Sequence, residues 1–161
     1  MINIIIPPKA FYESNIINYS NNEIELIGDQ AFKKCENLSN IECNQCKYID
    51  YQAFYSCNNL QNASFPECKY IGMSAFQYCI ALESIAFPKC EYIHNDAFYS
   101  CSSLAILDLS LVSQVPSLGY STAFYGTKLS TTGSIYVPAS LYSDFCRAPY
   151  WSYFSFHIYS I

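Results

Sequence analysis

The residues of this sequence best suited to chemistry are its cysteines. Of nine, seven keep an eleven-residue beat (Cys35, Cys46, Cys57, Cys68, Cys79, Cys90 and Cys101), while Cys43 and Cys146 fall off it. Thiols in such numbers can hold zinc, close disulfides, attack a substrate or fill a core. Zinc wants two closely spaced ligand pairs converging on one point. Cys43 and Cys46 make the only C-x-x-C, and no second pair or neighbouring His accompanies it. A catalytic thiol needs an activating partner and solvent access. His94 and His157 stand apart from any Cys-His pattern; paired carboxylates, glycine-rich phosphate loops and G-x-S-x-G are missing from the sequence. These readings point away from an enzyme, a metal centre or a cofactor.

The beat resolves into two columns once the chain is searched for repeats. A shift of 22 residues superposes Ile27, Ile49, Ile71, Ile93 and Val115, and likewise Phe32, Phe54, Phe76 and Phe98. Ala31, Ala53, Ala75 and Ala97 keep the same step, as do Leu38, Leu60, Leu82 and Leu104, and Ile41, Ala63, Ile85 and Leu107. Cys35, Cys57, Cys79 and Cys101 form one column; Cys46, Cys68 and Cys90, completed by Val112, form another, eleven residues out of phase. Cys43 shares an apolar column with Phe65, Phe87 and Leu109. Free cysteine is a common interior residue, and interior packing is the role this spacing favours. Equivalent residues on stacked parallel strands point their Cβ atoms the same way, which suits a regular set of disulfides badly, and nine is an odd number.

The unit reads L-x-x-I-x-F-P-x-C-x-x-I-x-x-x-A-F-x-x-C-x-x. LESIAF and LAILDL alternate apolar and polar residues as a strand does, and Pro66 and Pro88 close the strand where a missing N–H costs no ladder bond. The A-F-x-x-C half is too short for a free helix and predicts a single helical or 3₁₀ turn. One unit cannot bury its apolar side alone, so the units must stack. LESIAFPKCEYI and the fourfold A-F-x-x-C resemble the BspA-type (treponemal-type) leucine-rich repeat, and AFYGTKL, SIYVPASLYSDF and PYWSYF resemble the closing segment of gut-bacterial and phage-associated members. The resemblance covers roughly residues 24–161. It implies a leucine-rich repeat solenoid, a right-handed superhelix with a parallel sheet on its concave face and short helical or 3₁₀ turns on the convex one.

A single domain over 1–161 is expected: a degenerate cap repeat in 1–26, four 22-residue repeats in 27–115, and a terminal repeat with its cap in 116–161. VPSLGYST carries a four-residue insertion, and Phe11, Ile16 and Ile17 are expected to cover the open first end. The start, MINIIIPPKA, has no basic n-region and too short an apolar run for a secretion signal, and no apolar run spans a bilayer.

Columns that face outward on the strands are the candidate binding residues: Asn40, Asn62, Ser84 and Ile106, beside Glu42, Ser64, Ala86 and Asp108. Tyr48, Tyr70 and Tyr92, with Lys47 and Lys69, make a second surface column, either a contact ladder or a stacking device. Tyr150, Trp151, Tyr153 and Phe154 invite a carbohydrate platform, but an exposed coil end needs a plug, and Phe145 and Cys146 fit one. A net charge of −5 with eight scattered Lys and Arg argues against nucleic acid or an anionic membrane. The resemblance implies a non-catalytic adhesion or recognition module. Its partner would be a protein or glycan on a host or cell surface, and the chain would be extracellular, on a cell surface or on a virion, with a cytoplasmic place left open. The alternative is an assembly component, in a phage tail or surface array, with no ligand of its own. Oligomeric state is open at this stage.

Overall fold

The computed structural model describes residues 4–161; residues 1–3 of the expected cap lie outside the described residues. Each coil lays down two short strands separated by a turn, because each unit has two places where an apolar residue is flanked by polar ones. The strands are β1 (Ile4–Ile6), β2 (Asn18–Ser20), β3 (Ile24–Ile27), β4 (Asn40–Glu42), β5 (Tyr48–Ile49) and β6 (Asn62–Ser64). They continue as β7 (Tyr70–Ile71), β8 (Ser84–Ala86), β9 (Tyr92–Ile93), β10 (Ile106–Asp108), β11 (Ser117–Leu118), β12 (Ser134–Val137) and β13 (Ile158–Ser160). All pairings are parallel. One sheet runs β1-β3-β5-β7-β9-β11; the concave face holds two others, β2-β4-β6 and β8-β10-β12-β13. Register follows the repeat: Ile41 pairs with Ala63, Tyr70 with Tyr92, and Leu107 with Ile85.

The interior is built from columns. Phe11, Phe32, Phe54, Phe76, Phe98 and Phe124 stack ring on ring with centroids 4.8–5.6 Å apart and planes within 14° of parallel. That spacing is slightly more than the rise between stacked strands, so the rings follow the backbone from coil to coil. The A-F-x-x-C halves form successive tight turns, with Gln30, Lys34, Gln52, Ser56, Ser74, Tyr78, Asp96 and Ser100 at positive φ. Only in the last repeat, at Ser121–Phe124, is this half a regular 3₁₀ helix. The turns also bond between coils, Phe32 N–H to Ala53 O at 2.8 Å and Phe54 N–H to Ala75 O at 2.7 Å, which satisfies backbone that a helix would otherwise satisfy internally.

The insertion falls differently from the sequence expectation. Leu118, not Val115, pairs with Ile93 and completes the isoleucine column, while Val115 packs against the core from a looser position. Extra residues before β11 displace Val115 from the strand. At the first end, Phe11 and Ile16 pack on the core, but Ile17 is 58% exposed and covers nothing. The first coil is a working repeat: β1 pairs with β3, β2 with β4, and Lys9 and Glu13 take the same positive φ as their later counterparts.

The last coil is closed by a short helix α1 (Tyr142–Arg147) and a 3₁₀ segment at Trp151–His157. Trp151 is 1% exposed, packs on Phe124 and Phe145, and donates its indole N–H to Pro116 O at 2.7 Å. Phe154 and Phe145 are buried beside it. A carbohydrate platform built on Trp151 and Phe154 is therefore ruled out, since both rings face inward; Tyr153 faces water.

Candidate functional site

The cysteines come first, because their placement decides what chemistry is available. Eight are fully buried, all nine are free thiols, and Cys146 is half-buried. In the first column each sulfur points at a backbone oxygen near the top of the turn one coil earlier: Cys57 to Phe32 O at 3.0 Å, Cys79 to Phe54 O at 3.1 Å, Cys101 to Phe76 O at 2.9 Å. Cys46 and Cys68 instead reach the carbonyls of Tyr48 and Tyr70, at 3.3 and 3.5 Å. The thiol is thus a small apolar filler that also donates weakly to carbonyls at the bend. The first column extends beyond the sulfurs to Ser14, whose hydroxyl lies 3.7 Å from Cys35 Sγ, and to Thr127, which donates to Phe124 O at 2.7 Å. Burial pushes the Cys43 thiol up to about 11 and those of Cys46 and Cys90 to about 12, and it raises Cys68 and Cys79 well above the ordinary value. Such thiols are poor nucleophiles at neutral pH.

All eight candidate residues lie on the concave face and line one groove of about 740 Å³. Its floor is Ile41, Ala63 and Ile85; Asn40, Asn62, Ser84 and Ile106 stand along one side, Glu42, Ser64, Ala86 and Asp108 along the other. The asparagines form an amide ladder, with Asn40 Nδ2 donating to Asn18 Oδ1 at 2.5 Å and Asn62 Nδ2 to Asn40 Oδ1 at 2.7 Å. Both inter-coil bonds of that ladder run toward the first coil, and Asn40 Nδ2 also donates to Ser39 Oγ at 2.9 Å. Glu42 and Asp108 supply the only charges among the lining residues. Asn18, Tyr19 and Ser20 also line the groove and were missed, although Asn18 precedes Asn40 by one period and Ser20 precedes Glu42 by one.

The groove straddles the gap between β6 and β8, where no ladder joins the two concave sheets. Two features of the sequence meet there. Ala63 replaces the large aliphatic residue of its column. Phe65 and Phe87 stand on consecutive coils in a column that elsewhere holds Cys43 or Leu109, and both are buried.

The second surface column divides. Tyr70 and Tyr92 stack at 5.3 Å with planes 8° apart, beside inter-coil ion pairs of Lys47 with Glu25 and Lys69 with Glu91. Tyr48 is exposed and forms no such stack. His94 accepts from its neighbour, Asn95 N–H at 2.8 Å, and packs edge-on to Tyr92. A further tyrosine row, Tyr55, Tyr78, Tyr99 and Tyr125, crosses the convex turns with centroids 5.3–6.1 Å apart. The A-F-Y triplets at 53–55, 97–99 and 123–125 carried the signal for it.

The sequence profile of the BspA type leucine-rich repeat region matches residues 4–130 in 6 copies. A leucine-rich repeat protein of T. pallidum is similar in structure with a TM-score of 0.63 and 29% identity, over 66% of this chain and 52% of that one. One from Bacteroides ovatus superposes on 98% of this chain and 45% of its own, with a TM-score of 0.67 and 19% identity. The chain thus spans about half the length of each of these relatives. No curated protein matches it. Among the described residues no helix is long and apolar enough to cross a membrane.

Proposed function

The chain belongs to the BspA-type leucine-rich repeat family, and from that premise we propose that it is a non-catalytic recognition module that binds a protein or glycan in its concave groove. Family membership supports a protein-interaction or adhesion role. The observation that carries the finer reading is the groove itself. Eight strand residues from four coils face one open volume that has an apolar floor, an amide ladder and two carboxylates. An apolar surface with a few convergent polar groups is the usual make-up of a ligand site. With Glu42 and Asp108 as its only charges, the groove suits a neutral or basic partner. Presentation on a cell surface or virion fits this role.

The test uses the full chain immobilised against glycan arrays and host-surface proteins. A ligand retained by the native chain and lost by Ser84→Trp, which fills the groove from an exposed position, supports the reading. Retention that ignores Ser84→Trp, or silence across both panels, overturns it. The exposed aromatic rings of the last coil favour a second reading, an assembly component of a tail or surface array.

A further inference from the structure

We propose that the occupant of the concave groove is an extended basic peptide, held by Glu42 and Asp108 through two cationic side chains about four residues apart. This rests on the groove reading above and names the chemistry of its partner. Glu42 pairs with Ser64 and Asp108 with Ala86, and the 22-residue period places Ser64 and Ala86 on adjoining coils. The two carboxylates thus share one outward column, three coil steps apart, which is roughly 14 Å at about 4.8 Å per step. An extended chain covers that span in about four residues, and its alternate side chains share one face. A helix needs about nine or ten residues for the same rise, and those positions fall on different sides of it.

The charges favour this occupant. Glu13, Glu25, Glu67 and Glu91 are each neutralised by a lysine on a neighbouring coil. Among the described residues Glu42 and Asp108 form no ion pair, and no Lys or Arg lines the groove. Their local bonds take one oxygen each: Glu42 Oε1 accepts from Asn44 Nδ2 at 2.6 Å, and Asp108 Oδ1 from Ser110 N–H at 2.9 Å. The second oxygen of each carboxylate is left to a ligand. Asn62 and Ser84 stand beside the line joining them and offer donors and acceptors to a peptide backbone. Along the aliphatic floor Ile41 and Ile85 are buried, while Ala63 is short and partly exposed, a place for an aliphatic side chain between the basic ones. Of the lining residues only Tyr19 is aromatic, so the groove lacks a row of rings on which a sugar chain would stack. A net charge of −5 adds long-range attraction for a cationic segment.

Fluorescence anisotropy on the full chain tests it, with a labelled, end-capped peptide that has lysines four residues apart, leucine midway and serine elsewhere. The native chain is expected to bind this peptide saturably, and Ser84→Trp to abolish the binding. Glu42→Gln and Asp108→Asn keep an oxygen for the local bonds and remove only the charge. Each is expected to weaken binding about threefold, and the two together about tenfold. A control peptide of the same composition with its lysines adjacent is expected to bind at least about fivefold more weakly. Absence of saturable binding, equal affinity for the control, or affinity that ignores the charge changes or Ser84→Trp overturns the proposal. So does a neutral glycan that the native chain retains, that Ser84→Trp loses and that the charge changes leave bound. That last result would keep the groove as a binding site, so the two readings fail separately.

Discussion

Two parallel faces run along this solenoid, and only one is unbroken. The sheet from β1 to β11 carries Ile6, Ile27, Ile49, Ile71, Ile93 and Leu118 in its inward column, residues of nearly constant volume, and every neighbouring pair bonds. The concave face carries Tyr19, Ile41, Ala63, Ile85 and Leu107, with Cys43, Phe65, Phe87 and Leu109 behind them, and it parts between β6 and β8. The first face has side chains that match from coil to coil, so backbone spacing is set by hydrogen bonds. In the second, side-chain volume varies from one coil to the next, and the ladder is interrupted between β6 and β8. Close-packed interiors transmit such misfits instead of absorbing them. The uniform side thus holds the molecule together, and the irregular side opens the groove.

The buried thiols between the faces should set the alkaline limit of the fold. Besides Cys35, six of them, Cys43, Cys46, Cys57, Cys68, Cys79 and Cys90, have pKa values raised by burial. The denatured chain loses these protons first, so stability is complete below about pH 9 and falls as pH rises above it. Each thiol withdraws up to about 1.4 kcal/mol per pH unit, and six together up to about 8 kcal/mol, comparable with the whole stability of an ordinary domain. Urea unfolding at pH 8 and pH 10.5 (about one unit below and one and a half above the onset) should show near-complete loss at the higher value. A midpoint unchanged between them would mean that these thiols are open to solvent.

The same contrast can be drawn with one charge. Cys79→Asp places a carboxylate where no partner reaches and should cost on the order of 4 kcal/mol. Ser84→Asp, on the exposed concave side, should change stability by less than about 0.5 kcal/mol. Equal midpoints in chemical denaturation would remove the distinction between the two sides.

Most of the fold was legible in the sequence because a 22-residue period repeats the same burial decision. Residues such as Phe54 and Cys57 could be assigned inward without any structure, and the outward strand columns followed by alternation. What resisted reading was whatever depended on differences between coils. The exchange of Val115 for Leu118 turns on how an insertion is shared around a strand, which spacing alone does not fix. The break between β6 and β8 is a relation between two coils, which no single column contains. The first coil reads as a degenerate unit because Ala10-Phe11 precedes Ala31-Phe32 by 21 residues, one short of the period, and Phe11 stacks on Phe32 all the same.

Amide exchange sharpens the comparison at the break itself. The alternation that directs Ile106 N–H at Glu83 O directs Ser84 and Ala86 N–H across the gap toward β6. These two amides should exchange at least about tenfold faster than those of Ile71 and Ile93, which sit in the continuous sheet. Comparable protection would show that the gap is bridged in solution.

The smallest effects should come from the charges that appear to lace the coils together. Lys89 lies 2.6 Å from Glu67 and Lys69 2.7 Å from Glu91, each pair one repeat apart, yet both lysines are about half exposed. Water screens such pairs and two long side chains must be ordered to form them, so Lys89→Met should shift stability by less than about 0.5 kcal/mol. Tyr70→Ala, which removes one ring of the neighbouring stack, should cost about 1 kcal/mol or more. If thermal melts in low and high salt instead ranked Lys89→Met above Tyr70→Ala, the coils would be held in register by charge. The matched columns of rings and thiols would then lose their place as the element that makes one face continuous.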